Sequence, residues 1–255
     1  MKTEFSQDPF KELSTAQKTP GLKQRFPDRV LVMTTDRCFG TCAHCTRRWI
    51  LGKTPTVDSP AALAKCVDYV TRHPKVRDVL LSGGDVLTLP DAQVTAFVDA
   101  FASLGQVDLV RICTRAPVEK PARITDALAR KLAKSGKVWA NVHINTAAEA
   151  ERAAPAAAKL VNRGIPVSSQ TVLLRGLNDT GPKMLALLKS LTRARIRPYY
   201  VFQCDPVAGL ESLRVPLEKA KEIERYCAER IGGLGLPRFV ADLPGAARKV
   251  PLDLL

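Results

Sequence analysis

Three cysteines, Cys38, Cys42 and Cys45, fall within the short stretch Cys38-Phe39-Gly40-Thr41-Cys42-Ala43-His44-Cys45. Thiolates at this C-x3-C-x2-C spacing can wrap one corner of a compact soft-metal site. A structural zinc takes four ligands, and a 4Fe–4S cube ordinarily takes four thiolates. With three protein ligands one metal keeps an open position, which suits chemistry better than scaffolding. His44 could supply a fourth ligand, but Ala43 and Cys45 on either side aim it badly. No distant Cys-x2-Cys pair completes a zinc site. The remaining cysteines, Cys66, Cys113, Cys204 and Cys227, are scattered through apolar segments, where a free cysteine packs as a small hydrophobe. The odd total of seven, with three of them clustered, indicates metal binding or catalysis in a reducing compartment rather than a disulfide framework. A second element, Ser82-Gly83-Gly84-Asp85, closes an apolar run. On its own it reads as a simple turn between a strand and a helix.

The segments that must position these residues alternate regularly. Strand-like runs cover 30–33, 79–81, 109–112, 138–144, 167–174 and 199–202, and helix-period segments cover 59–73, 91–104, 125–135, 147–163, 181–194 and 215–231. Asp58-Ser59-Pro60 has the residues of a helix start, and Gly105, Gly136, Gly164 and Gly176 punctuate the joins. Six strand–helix units imply parallel strands with right-handed crossovers, in an open sheet or in a closed or partial barrel. Either arrangement gathers its chemistry at the carboxyl ends of the strands. The loops after Thr35, Ser82, Cys113, His143, Leu174 and Cys204 are therefore expected to line one site. Residues 1–24, polar and punctuated by Pro and Gly, are expected to form an extension over the surface. Residues 25–255 form one domain, and Arg238 to Asp242 make a last short strand.

The chain has 255 residues, 45% apolar and 25% charged, with 39 Lys+Arg against 25 Asp+Glu, a net charge of +14. This is ordinary globular composition, which excludes collagen-like and wholly disordered chains. No run of 18 apolar residues exists, and the polar start lacks the apolar stretch of a signal peptide. A cytoplasmic location and no membrane partner are expected. The basic residues are scattered, without a block of five or more like charges. That scatter, with no RNA-binding signature, argues against nucleic acid as the partner.

The cysteine motif directly after the first strand, with Ser82-Gly83-Gly84-Asp85 after the second, resembles the radical S-adenosylmethionine (SAM) superfamily. The resemblance implies a 4Fe–4S cluster on Cys38, Cys42 and Cys45, its open iron chelating SAM, and a partial (β/α)6 TIM-type barrel of the α/β class. It places Ser82, Gly83, Gly84 and Asp85 at the SAM methionine group, and His143 and Gln170 around the same cofactor. The stretches Cys45-Thr46-Arg47-Arg48, Asp78 to Asp85, Thr114 to Val118, Val172 to Asp179, Arg197-Pro198-Tyr199-Tyr200 with Gln203-Cys204-Asp205, and Asp242-Leu243-Pro244-Gly245 are similar, colinearly, to the lysine 2,3-aminomutase family.

That narrower resemblance implies an isomerase that moves the α-amino group of L-lysine to the β-carbon, regenerating SAM. Lys249 matches the lysine that carries pyridoxal 5′-phosphate as a Schiff base, and Arg25 and Arg29 match arginines at its phosphate. Arg47 matches the residue that binds the substrate carboxylate. Asp205 and Asp242 match the two aspartates that clamp the distal ammonium, which favours a cationic substrate over glutamate or an apolar amino acid. An electron donor such as flavodoxin or ferredoxin is implied, and oligomerisation is possible. The chain departs from the family pattern in several places. Ala246 and Ala247 replace glycines of the lysine loop, and Phe202 replaces a tyrosine. Thr180 stands where zinc-containing members have cysteine, so no zinc is expected. The terminal regions that family members use in subunit association are short here. Three alternatives remain open: a related aminomutase on another cationic amino acid or on a lysine of elongation factor P; another radical rearrangement assisted by pyridoxal phosphate; and a basic iron–sulfur protein that binds nucleic acid.

Overall fold

The computed structural model describes residues 4–14 and 16–255. Its sheet runs in simple sequence order: β1 (Gln17–Thr19), β2 (Leu22–Phe26), β3 (Arg29–Thr35), β4 (Asp78–Gly83), β5 (Leu109–Thr114), β6 (Val138–His143), β7 (Val167–Leu173), β8 (Arg197–Gln203), β9 (Arg238–Ala241) and β10 (Val250–Pro251). From β3 to β9 every neighbouring pair is parallel. Antiparallel pairs flank this array, β1–β2–β3 at one end and β9–β10 at the other. The crossovers carry helices α1 (Pro60–Thr71), α2 (Asp91–Ala102), the short α3 (Ala116–Glu119), α4 (Asp126–Ala133), α5 (Ala147–Val161), α6 (Gly181–Arg193) and α7 (Leu217–Ala228). Six strand–helix units in one parallel sheet give the expected α/β, partial TIM-type barrel.

Local chemistry explains where the helices begin. Ser59, Thr125, Thr146 and Thr180 each sit in extended backbone and accept a hydrogen bond from the N–H three residues on, which satisfies one of the unpaired donors of the first turn. Thr180 is thereby a cap of α6. The strands alternate as a barrel wall must. On β5, Val110 and Ile112 are buried in the core under the helices, while Arg111 and Cys113 line the interior cavity. The helices cover the outer face with residues such as Phe97, Phe101, Leu128, Leu132, Leu187 and Leu191, all of them in the main core. Fully burying one such side chain stabilises by roughly 1.5–3 kcal/mol.

Two expectations are corrected. The described part of residues 1–24 does not lie loosely over the surface. Its second half forms β1 and β2, with Ala16 and Leu22 buried, and the expected boundary at residue 25 falls inside β2. Residues 17–26 pair because Pro20-Gly21 makes their turn; Gly21 has φ +80°, which a type II turn demands of its third residue. The last short strand is present, but a further strand, β10, folds back on it, with Val250 opposite Ala241. No helix of the described residues is long and apolar enough to cross a membrane.

At the seam of the barrel Arg25 on β2 donates two hydrogen bonds of 3.0 Å to Asp242, just past β9. Main chain joins there too: Ser6, ahead of β1, donates its N–H to the Pro206 carbonyl (3.0 Å) and accepts from Ala208 N–H (2.9 Å).

Candidate active site

One cavity of about 390 Å³ opens among the carboxyl ends of the parallel strands and reaches into the barrel. Every residue singled out from the sequence lines it: Cys38, Cys42 and Cys45; Ser82 to Asp85; His143 and Gln170; Arg25 and Arg29; Arg47, Asp205, Asp242 and Lys249. Of the expected loops, those after β3, β4, β5 and β8 line it, because parallel strands bring their carboxyl ends to one rim; β6 and β7 contribute residues of the strands themselves, His143, Gln170 and Val172 among them.

The three thiols are free and lie on the loop after β3. Burial, with Asp85 and the other two cysteines nearby, pushes the Cys38 thiol up to about 11. Thiols crowded in this way are poor isolated anions and suitable metal ligands, because a cation reverses the balance. Among the described residues no three His, Cys, Asp or Glu groups converge on one point as a single ion would need. Three separate thiols facing one cavity fit a multi-iron cluster, in which each can bind a different iron. His44 is turned away onto His143: their Nε2 atoms are 3.1 Å apart, and Asn145 Nδ2 lies 3.4 Å from His44. Burial, with Arg115 close by, lowers His44 to about 4 and holds His143 well below its ordinary value. Both rings stay neutral, one donating to the other.

The glycine turn does more than face a ligand. A Cβ on Gly84 would stand 2.2 Å from the Arg37 carbonyl oxygen, and one on Gly83 2.5 Å from that of Thr35. The close approach lets Gly84 N–H donate to Thr35 and Asp85 N–H to Arg37, both at 2.7 Å. These bonds fix the backbone beside Cys38. The Asp85 carboxylate is committed to the scaffold. It accepts from Thr114 Oγ1 (2.7 and 2.9 Å), Arg115 N–H (2.8 Å) and Leu87 N–H (3.0 Å). It ties the loops after β4 and β5 together. His143 and Gln170 are register partners on β6 and β7, so they present neighbouring side chains to the same cavity.

At the seam, Lys249 immediately precedes β10, and the β9–β10 pairing brings it beside Asp242. Its Nζ donates to Asp242 Oδ2 and lies 5.3 and 5.6 Å from the ring centres of Phe26 and Phe202. The lysine loop turns at Gly245, φ +77°, with Ala246 N–H donating to Leu243. One glycine thus suffices for the path. Burial lowers the Lys249 ammonium against the pull of Asp242. Burial also opposes the Asp242 charge, but hydrogen bonds from Arg25 and Lys249 outweigh it and hold Asp242 below its ordinary range. Asp205 is the contrast. Burial, and then the Asp242 carboxylate, push it up to about 7, and its Oδ1 has no hydrogen-bond partner. A buried, unpartnered carboxylate oxygen beside a neutralised one is an acceptor without a donor. Arg25, expected at a phosphate, is held by Asp242. Arg29 makes a loose 3.7 Å pair with Asp28 and stacks over Phe26.

Other residues of the cavity, among them Lys23, Arg111, Asn141 and Glu12, were not legible as site residues. Glu12 lines the cavity and takes both the Nε (2.7 Å) and Nη2 (2.9 Å) of Arg47. It lies in the stretch assigned to a surface extension, and a lone glutamate among polar residues carries no signal.

Residues 32–188 match the Radical SAM superfamily. The chain is 41% identical over 234 residues to an L-lysine 2,3-aminomutase of Fusobacterium nucleatum, covering 91% of this chain and 55% of that one. It is 38% identical over 240 residues to a putative L-lysine 2,3-aminomutase of Treponema pallidum, covering 93% and 67%. The chain spans between about half and two thirds of the length of the curated relatives it matches. Among solved structures, SuiB of Streptococcus suis bound to S-adenosylmethionine superposes with a TM-score of 0.63 at 16% identity, over 85% of this chain and 51% of that one. That likeness is one of fold. The family model, with three thiols on the loop after β3, implies a 4Fe–4S cluster and SAM. The chain belongs to the radical SAM superfamily, in the branch of the lysine 2,3-aminomutases.

Proposed function

We propose that the protein is a radical aminomutase that moves the α-amino group of a dibasic amino acid, L-lysine foremost, to the β-carbon. The observation that carries this reading is the pair of opposite polar ends in one cavity. Arg47 stands near the cysteine loop, and Asp205 with its unpartnered oxygen stands at the seam beside Lys249. An α-amino acid with a distal ammonium presents a carboxylate to the first and a cation to the second. Bound at their sites, SAM and its cluster would supply a hydrogen-abstracting radical, and pyridoxal 5′-phosphate on Lys249 would supply a conjugated system able to spread an unpaired electron.

The protein's own work is binding and exclusion. Cys38, Cys42 and Cys45 would hold the cluster, and the main chain of Ser82 to Gly84, with His143 and Gln170, would receive SAM. Arg25 and Arg29 would face the pyridoxal phosphate, with guanidinium forks suited to phosphate. Arg47 has the fork geometry for a carboxylate. Asp205 accepts the distal ammonium, and ionises as it does so, because a cation at its open oxygen offsets the burial that raises it. Asp242 gives its second oxygen to whichever ammonium is present, Lys249 or substrate. Phe26, Phe202 and Val172 close the space between the two ends. In such a site, orientation can supply about 7–11 kcal/mol of the barrier. An electron donor of the flavodoxin or ferredoxin class would reduce the cluster.

The test is a substrate panel. Reconstituted protein is given L-lysine, L-ornithine and L-glutamate with SAM and reductant, beside the Asp205→Asn variant. Lysine turnover without glutamate turnover, lost in Asp205→Asn, is expected. Glutamate turnover in preference to lysine would overturn the reading.

A further inference from the structure

Arg47 is held in place before any ligand arrives. Glu12 binds it side-on, through Nε and Nη2. The end-on edge, Nη1 with the outer Nη2 proton, has no hydrogen-bond partner among the described residues, and Arg47 lines the cavity. The segment bearing Glu12 is built for the contact. The Asp8 carboxylate accepts from the N–H groups of Glu12 (2.8 Å) and Leu13 (2.9 Å). Lys11 adopts φ +53°, a left-handed conformation that is costly for a residue with a Cβ. That turn directs the next side chain inward, and Glu12 ends only 8% exposed. Lys23 on β2, 3% exposed, donates its ammonium to the Glu12 main-chain carbonyl.

We propose that Glu12 is the positioning residue of the carboxylate subsite: it fixes Arg47 side-on so that the end-on edge faces the substrate carboxylate. The proposal rests on the reading of Arg47 as the substrate-carboxylate anchor. An arginine side chain loses substantial rotamer entropy when it is fixed. Holding it in the folded protein removes that cost from substrate binding.

The experiment compares binding of L-lysine and L-lysinamide, in which the carboxylate is a neutral amide, to protein loaded with cluster and pyridoxal phosphate but without reductant. Isothermal titration gives the affinities, and a melting curve for each variant shows that it is folded. Wild type is expected to prefer lysine by about tenfold, the scale of one charge-assisted fork. Glu12→Ala, and the isosteric Glu12→Gln, are expected to bring the two ligands within about threefold of each other by weakening lysine alone. Glu12→Asp recovers part of the preference. In turnover the loss appears in KM, with kcat changed far less. Unchanged discrimination in both variants, or tighter lysine binding in Glu12→Gln, would overturn the proposal; the second result would make Glu12 a competitor of the substrate. If Arg47→Ala keeps full discrimination, the anchor itself is elsewhere, and the underlying reading fails together with the proposal.

Discussion

The substitution Gly84→Ala probes how the cluster loop is held. The added methyl would lie 2.2, 2.8 and 2.9 Å from the Arg37 carbonyl oxygen, carbonyl carbon and nitrogen. All three are backbone atoms, so no side chain can swing aside. Relief requires the loops after β3 and β4 to part, which breaks the 2.7 Å bonds from Gly84 N–H to Thr35 and from Asp85 N–H to Arg37. Two lost hydrogen bonds cost about 1 kcal/mol each, and overpacking adds about 1–3 kcal/mol. The expected destabilisation is therefore about 3–5 kcal/mol, against a total stability on the order of 5–15 kcal/mol for a folded domain. Cys38 follows Arg37 directly, so the same movement displaces one thiol from the other two. Gly105→Ala is the control, with nothing within 4 Å of its added carbon; its effect should be about 1 kcal/mol or less and can be stabilising. Urea unfolding measures the first effect, and iron bound per chain after anaerobic reconstitution measures the second. If Gly84→Ala unfolds at the same urea concentration as Gly105→Ala and binds as much iron, the account of this turn is refuted.

Asp205 gives a pH signature. Its value of about 7 lies above the ordinary 3.8, so the folded chain binds an extra proton between those limits and loses stability as pH rises through them. Asp205→Asn should flatten that slope and stabilise the protein at pH 8, on the order of 4 kcal/mol, while lysine binding is lost; parallel stability curves for the two proteins would contradict this. Cys66, Cys204 and Cys227 are at most 1% exposed, and burial pushes each thiol up to about 11. With the cluster in place they should resist iodoacetamide, and replacing any of them by Ala should leave the iron content intact, whereas Cys38→Ala, Cys42→Ala or Cys45→Ala should abolish it. Borohydride reduction in the presence of pyridoxal phosphate should place the pyridoxyl mass on the peptide containing Lys249 and leave Lys249→Ala unmarked; a mark on another lysine would remove Lys249 from its role.

What the sequence revealed follows the range of the forces involved. The parallel strands and their helices were legible because each is specified locally, by apolar period and by caps such as Ser59 and Thr146. The N-terminal hairpin was missed because its charges read as solvated, although Lys23 is buried against the Glu12 carbonyl. The Pro20-Gly21 pair, a strong turn signal, was available and would have separated β1 from β2. The site residues could be named because motifs are local, but their partners could not. Arg25 and Asp242 are 217 positions apart, and only closure of the sheet at its seam makes them a pair. Asp85 shows the same limit. Its place in the glycine turn suggested a ligand contact, and its bonds to Thr114 and Arg115 depend on where β5 ends.

Stoichiometry and label decide whether this chain moves the amino group of lysine while regenerating SAM. The protein is reconstituted anaerobically with iron, sulfide and pyridoxal phosphate. It is then given reductant, SAM and L-lysine deuterated at the β-carbon. The account predicts β-lysine in excess over SAM consumed, with deuterium appearing in recovered SAM. No β-lysine from protein that carries both the cluster and pyridoxal phosphate on Lys249 would contradict it.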